Sequence, residues 1–436
     1  MRVALVCDWL TNVGGAEKVL LEIHRLYPKA PIYTSQYSPK GIDWFTDADV
    51  RTGWLQIFPV FMRRLLSPLR QQWFKHLNLS EYDLIISVTG AEAKAVKSGK
   101  WLHEHGKKSA NPKGIHISYC HVPTQYYWQM YNDYVENPGF GILNPVVRFF
   151  FKLMVGPLRR GDYKAAQVPD YYVTISEYAK ELIGEYYERE AVVIHPPVEV
   201  DEFKTNDAHI LSRAASPRPV DLSGRPSGVA STRKASFPSA RLLLRSATGE
   251  ARSSSPCQAP EALRKDIERH SPYYIVTSRQ VNWKRIDLAV KACMKLRRKL
   301  LVVGEGSEHN KLVKMSNGSE WVKFVPLVGK RELAELLRGA KGFLFPSFEP
   351  FGIAPVEALA TGCPVIAFGE GGAQDYVVDG ENGVLFPRQT VKSLSDAIVR
   401  FEKMKFDGAK VAKSAKKFSA ERFDREMKKY VDKKVR

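Results

Sequence analysis

One alternation, met twice along the chain, limits the folds open to it. Short apolar runs are each followed by a segment of helical periodicity. "VALV" (Val3–Val6) leads through Gly14 and Gly15 into "AEKVLLEIHRLY". "YDLIISV" precedes Thr89 and Gly90, "HISYC" precedes His121, and "YYVTIS" precedes "EYAKELIGEYY". The pattern begins again at "YYIVTS" (Tyr273–Ser278) and continues through "KLLVVG", "VKFVPLV", "GFLFPS" and "PVIAFG". Strands that feed helices build βα units and parallel sheets. The expectation is an α/β protein with two domains, residues 1–200 and 271–400. A chain of 436 residues is long enough to bury a core in each.

The segment between them breaks the pattern. Leu211–Pro256 is rich in Ser, Arg, Pro and Ala, and its one apolar cluster is Leu242–Leu244. It cannot bury a core, so a disordered insertion or linker is expected over 207–260. Its composition suits an inserted piece or a misread frame as well as a flexible linker. The tail, 401–436, reads as basic helices packing back toward the N-terminal domain.

Much of the charge lies in these two places. Of the formal +19, Lys403–Arg436 carries 13 basic and 5 acidic residues, or +8, and Leu211–Pro256 carries 8 and 2, or +6. The rest holds only +5, since 19 − 8 − 6 = 5. Such runs read as solvated faces rather than a nucleic-acid footprint, and no zinc-finger or RNP-type signature accompanies them. Specific nucleic-acid binding is not expected. Five scattered cysteines show no metal-ligand spacing. The opening "MRVALVCDWL" is too short for a signal h-region, and no run reaches a transmembrane length. A reduced, cytoplasmic protein is expected.

The chemistry concentrates in "FEPFGIAPVEALATGCPVI" (Phe348–Ile366). "GFLFPS" reads as a strand, "FEPFG" as a loop, and Ile353–Ala360 as a helix with Pro355 in its first turn and Gly362 as its stop. At the carboxyl edge of a parallel sheet, such a loop and helix start form a ligand crevice. The amides of Gly352 and Ile353 are free to meet an anion. Glu349 on the loop and Glu357 in the helix, eight residues apart, flank that anion site. Carboxylates accept hydrogen bonds from vicinal hydroxyls. The set suits a ligand with phosphate in the middle and polyol at both ends, as in a nucleotide sugar.

These residues resemble the E-x7-E signature of retaining glycosyltransferases of family 4. The similarity extends to "DWLTNVGGAEKVL" (Asp8–Leu20), "CHVPTQYYW" (Cys120–Trp128), "SRQVNWKRIDLAV" (Ser278–Val290), "VVGEGSE" (Val302–Glu308) and "FGEGGAQDYV" (Phe368–Val377). The resemblance implies the GT-B fold, two Rossmann-like doubly wound domains facing a central cleft. It implies that Glu349 contacts the donor sugar and Glu357 the ribose. Arg279 and Lys284 would hold the diphosphate in place of a metal. Gly14 and Gly15 would lie across the cleft from it, and His121 beside the transferred sugar. No metal or other cofactor is expected; the lone acid pair Asp47 and Asp49 reads as chance spacing. Two positions depart from the family pattern: Pro326 stands near where the base would stack, and Asp375 stands where Glu is usual.

"CHVPTQYYW" and "SRQVNWKRIDLAV" look most like mannosyltransferases of O-antigen and exopolysaccharide pathways, which makes GDP-mannose the expected donor. Two stretches mix apolar bulk with cations: Phe58–Leu77, with Trp73, Phe74, Arg63, Arg64 and Arg70, and Val146–Lys164, with Phe149–Phe151, Lys152, Arg159 and Arg160. They suit interfacial helices on anionic lipid or core helices with Arg at their ends. The membrane reading implies a lipid-linked acceptor at the inner face of the plasma membrane; a polysaccharide acceptor is the soluble counterpart. A nucleotide-sugar epimerase on the same fold and a basic nucleic-acid-binding scaffold are the alternatives.

Overall fold

The computed structural model describes residues 1–60, 62, 66–136, 141, 144–203 and 272–435. The segment expected to be an insertion, 207–260, lies outside the described residues, as do Arg63 and Arg64.

Strands β1 (Val3–Cys7), β2 (Ile32–Thr34), β3 (Val50–Thr52), β4 (Leu84–Thr89), β5 (Ile115–Cys120), β6 (Tyr171–Thr174) and β7 (Ala191–Val193) form one sheet in the order β3-β2-β1-β4-β5-β6-β7. Strands β8 (Tyr274–Thr277), β9 (Leu300–Val303), β10 (Val322–Val325), β11 (Gly342–Phe345), β12 (Val365–Phe368) and β13 (Gly383–Phe386) form a second, ordered β10-β9-β8-β11-β12-β13. The named strands pair in parallel in both, for example Val3–Cys7 against Leu84–Val88 and Tyr274–Thr277 against Leu300–Val303. Helices cover both faces of such sheets, so central strands are buried on both sides and read as continuous apolar runs rather than alternating ones. Every residue of β1, β4 and β5 is buried accordingly. The chain is α/β, with two Rossmann-like parallel sheets.

Each sheet reverses its strand order once, between β1 and β4 in the N-terminal half and between β8 and β11 in the C-terminal half. At such a reversal the connecting helices leave on opposite faces. The carboxyl ends of the two strands then bound an open crevice, which is where ligands bind in doubly wound sheets.

After β13 the chain returns to the first half. Val198 pairs with Ser419 in an isolated parallel bridge. The helix Ala420–Val435 packs on the helix Gly15–Leu26, and Phe423 meets Tyr119 of β5 edge-on at 5.9 Å between ring centroids. Phe423, Met427 and Val431, at helical spacing, form its buried stripe.

The residues of the two aromatic and cationic stretches divide between interior and surface. Phe74 and Arg70, on the helix Ser67–His76, are buried, and Arg70 Nε lies 2.8 Å from the equally buried Glu92 carboxylate. These two residues therefore belong to the interior and not to a lipid-facing surface. A guanidinium can be buried there because Glu92 neutralises it. Arg159 is also turned inward, donating to the Tyr127 carbonyl at 2.6 Å and lying over the Trp128 and Tyr131 rings. On the helix Asn144–Ala166, Phe149 and Phe150 face outward, whereas Phe151 packs against Tyr131. No described helix is long and apolar enough to cross a membrane.

Candidate active site

The carboxyl ends at both reversal points open into one cavity of about 590 Å³. Asp8 and Gly90 follow β1 and β4; Arg279 and Glu349 follow β8 and β11; all four line it. Of the site residues named from sequence, it brings together Gly15, His121, Arg279, Lys284, Glu349, Gly352 and Ile353. Gly14 and Glu357 are not among its lining residues.

The C-terminal half supplies the charged wall. Lys284 closes a single 3-10 turn, Asn282–Lys284, after β8, and its Nζ is 2.5 Å from Glu349 Oε1. Arg279 stands exposed at the rim. Gly352 has φ +91, a conformation that side-chain-bearing residues rarely adopt. A Cβ there would also lie 2.6 Å from the Phe345 ring. Gly352 is the N-cap of the helix Ile353–Ala360 and offers no side-chain cap, so the first-turn donors stay available to an anion. The second double glycine has a supporting task. Gly372 N donates to the Glu349 carbonyl at 2.9 Å, and a Cβ on Gly371 would meet that same oxygen at 2.6 Å. "GEGGAQD" therefore holds the loop that carries Glu349.

Glu357 lies one turn deeper, within 3.5 Å of Lys18 Nζ on the first helix of the N-terminal half. Burial pushes its carboxyl above the usual range, and the Lys18 charge opposes that shift. Gly15 marks the same approach of the two halves, since a Cβ on it would come within 3.2 Å of Ile353 Cδ1. A side chain here would crowd the end of Ile353. Gly14 is extended, with φ −161, and lies beside Glu17.

The N-terminal half supplies the less charged wall. The His121 backbone amide donates to the Thr89 carbonyl at 2.9 Å, and its ring sits edge-on to Tyr119. Burial holds the imidazole down to about 4, so it is neutral at physiological pH. Its Nε2 has no partner among the described residues. Asp8, which sequence reasoning passed over, is a structural clamp. Its carboxylate accepts from Thr89 Oγ1 at 2.9 Å, Gly90 N at 3.0 Å and Ala93 N at 2.8 Å, joining the ends of β1 and β4. Burial, reinforced by the nearby Glu92 charge, raises its pKa. Behind the wall, Tyr126 donates to Glu92 at 2.8 Å, tying a cavity residue to the buried Arg70–Glu92 pair.

Two residues noted from sequence act elsewhere. Asp375 accepts from the Glu177 amide at 3.1 Å, capping the helix Glu177–Tyr187 of the other half. Burial pushes it up to about 6. His195 Nδ1 lies 3.6 Å from it, but donates to the Ile175 carbonyl at 3.0 Å. Burial holds that ring down to about 4, so the contact is not an ion pair at neutral pH. Asp49 is taken up by Arg51, whose Nη2 lies 2.7 Å away. Among the described residues no three His, Cys, Asp or Glu side chains converge as a metal site.

Residues 261–420 match the family described as "Glycosyl transferases group 1". Among curated proteins, the chain is 28% identical over 153 residues to the UDP-N-acetylglucosamine–peptide N-acetylglucosaminyltransferase GtfA subunit of Streptococcus parasanguinis, covering 33% of this chain and 30% of that protein. It is 40% identical over 81 residues to the D-inositol 3-phosphate glycosyltransferase of Streptomyces griseus, covering 18% and 17%. The chain thus spans less than a third of the length of these relatives. Among solved structures, HepE of Anabaena in complex with UDP superposes with a TM-score of 0.61 at 17% identity, covering 99% of this chain and 100% of that one. The two parallel sheets are those of the GT-B fold, and residues 261–420 carry a glycosyl transferases group 1 domain.

Proposed function

We propose that this protein is a retaining glycosyltransferase that moves a hexose from a nucleoside diphosphate sugar to a lipid-linked or polysaccharide acceptor. One observation carries the reading. The cations and the helix start of the C-terminal half share a single cavity with Gly15 and His121 of the N-terminal half. Breaking the bond from the anomeric carbon to the diphosphate oxygen leaves negative charge on the departing diphosphate. Arg279, Lys284 and the first-turn amides of Ile353–Ala360 are fixed donors for that charge, and they act without a metal. A bound diphosphate would draw Lys284 from Glu349 and leave that carboxylate for the hydroxyls of the sugar. Neutral His121 can hydrogen-bond a sugar hydroxyl through Nε2 without adding charge. Glu357 would accept from the ribose once Lys18 yields. No side chain is assigned as a covalent nucleophile.

GDP-mannose is the donor this proposal names, supported by the likeness of "CHVPTQYYW" and "SRQVNWKRIDLAV" to mannosyltransferases. A UDP-sugar is the second reading, favoured by the UDP-named streptococcal relative and by HepE, solved with UDP and with UDP-glucose. Incubation with GDP-mannose, UDP-glucose and UDP-N-acetylglucosamine decides between them, scored by thermal stabilisation and by release of free sugar. Stabilisation and hydrolysis with one donor are expected. No response to any nucleotide sugar would overturn the reading, and an epimerised nucleotide product would assign the site to epimerisation.

A further inference from the structure

Among the described residues, no element covers the outward face of the helix Asn144–Ala166. Val146, Phe149, Phe150, Leu153 and Met154 recur at helical spacing, so they share one face. All five are exposed; Phe149 is 66% and Leu153 65% accessible. Aromatic and branched apolar residues in an unbroken row are not what an isolated surface hydrophobe looks like. The row then changes character without leaving the face. From Leu153, steps of four, three and four residues reach Pro157, Arg160 and Lys164. Met154 to Lys164 spans about 15 Å of helix.

Lys164 belongs to a cluster of lysines drawn from several elements. The helix Ser67–His76 brings Lys75, and Lys97 and Lys107 both reach Trp101, with Nζ 5.0 and 5.6 Å from its ring centroid. Burial, and then the Lys164 charge, lowers the pKa of Lys75; burial, and then Lys107 and Lys75, lowers that of Lys97. Among the described residues, Lys100 of the helix Gly99–Glu104 pairs with Asp170 and Glu104, whereas none of these four pairs with a carboxylate. Cations gathered at mutual cost, with no anion of their own, are poised for an external one. Lys152 and Arg160, both exposed, lie along the helix without a carboxylate partner among the described residues.

We propose that this face docks the N-terminal half on an anionic lipid bilayer, with Val146–Met154 entering the acyl boundary and Lys75, Lys97, Lys107 and Lys164 holding lipid phosphates. An apolar helix face alone would fit many partners. Its continuation into unpaired cations selects a surface that is apolar inside and anionic at the edge. The proposal deepens the acceptor reading above and rests on it only for the claim that the acceptor is lipid-linked.

Sedimentation of the full chain with phosphatidylcholine vesicles, with and without phosphatidylglycerol, tests it. Binding is expected only to the anionic vesicles and should weaken steeply with salt. The double variant Phe149→Ser/Leu153→Ser should bind at least about tenfold more weakly. Lys107→Gln and Lys164→Gln should each cost about fivefold. Nucleotide-sugar hydrolysis without acceptor should be unchanged in all of them, which separates failure of the docking surface from failure of the donor site. Equal binding to neutral and anionic vesicles, or wild-type binding by the variants, would overturn the proposal. So would retention of RNA with no vesicle binding, or a dimer that becomes monomeric in Phe149→Ser/Leu153→Ser. Should a variant fail to fold, the salt and lipid dependence of the unaltered chain decides alone.

Discussion

Lys284 and Glu349, far apart in the chain, meet at 2.5 Å at the mouth of the C-terminal sheet's reversal point. One follows β8 and the other follows β11, so the topology alone makes the loops that carry them neighbours. Each neutralises the other in the free protein. A cation held in this way stands at the cavity wall, and an anionic ligand would draw it from Glu349 on binding, before the reaction step.

That arrangement sets the first expectation. Lys284→Ala and Arg279→Ala should each lower turnover by about a hundred- to a thousandfold, corresponding to about 2.7–4 kcal/mol of barrier, with the fold intact. Arg279→Lys should keep part of the activity, because an ammonium cannot reproduce the planar guanidinium fork. Steady-state kinetics with excess EDTA should match those without it. Turnover abolished by EDTA and restored by Mg²⁺ would instead give the leaving-group role to a metal.

The two glutamates should separate in their effects. Glu357→Ala is expected to weaken nucleotide affinity by about 1.5–3 kcal/mol, the range for a hydrogen bond to a charged group. Isothermal calorimetry reads this directly, and unchanged affinity would remove Glu357 from the ribose. Glu349→Ala should reduce kcat far more than nucleotide affinity, since it would face the sugar being transferred.

The buried pair Lys94–Asp162, at 2.6 Å, should be a stability determinant rather than a catalytic one. Asp162 also accepts from Thr124, Trp128 and Tyr187, each at 2.8 Å, so its charge remains buried when Lys94 is removed. Lys94→Met should cost about 3–5 kcal/mol. Urea denaturation showing a loss under about 1 kcal/mol would mean that water or a neighbour takes over the lost charge.

Acid should expose His121. Its folded value is held to about 4, against an ordinary value near 6.5. Between those values the unfolded chain binds a proton that the folded chain does not. Its contribution is therefore complete above about 6.5 and is lost as pH falls toward 4. Asp375 has the opposite sign. Raised to about 6, it takes up its proton first in the folded state, so its contribution is present below about 4 and lost as pH rises through 6. His121→Asn should flatten the acid limb of the stability curve relative to the parent, and Asp375→Asn should steepen it. Urea midpoints between pH 4 and 7 check both, and parallel curves for parent and variants would refute the assignment.

The parallel sheets, the restart of the pattern near residue 273 and the helix Ile353–Ala360, whose observed ends are the expected ones, are readable from the order of residues. These are local matters. An apolar run of strand length, a proline in a first turn and a glycine after the last helical residue act over a few neighbouring positions. Of the seven expected residues that line the cavity, Glu349, Gly352 and Ile353 were legible for a related reason, because a loop and helix start after a strand end form a crevice. Gly15, His121, Arg279 and Lys284 were named through the family resemblance. The remaining contacts come from long-range packing. Arg70 and Phe74 have the letters of a surface helix, but Arg70 is buried because Glu92, 22 residues away, meets it. Glu357 is set against Lys18, 339 residues away. Asp375 caps a helix 198 residues away, and Asp8 closes on Thr89–Ala93. In each case the side chain's own neighbours in sequence say nothing of its partner. The partner is chosen by how sheets and helices pack, and the low dielectric of that packing gives the pairing its strength.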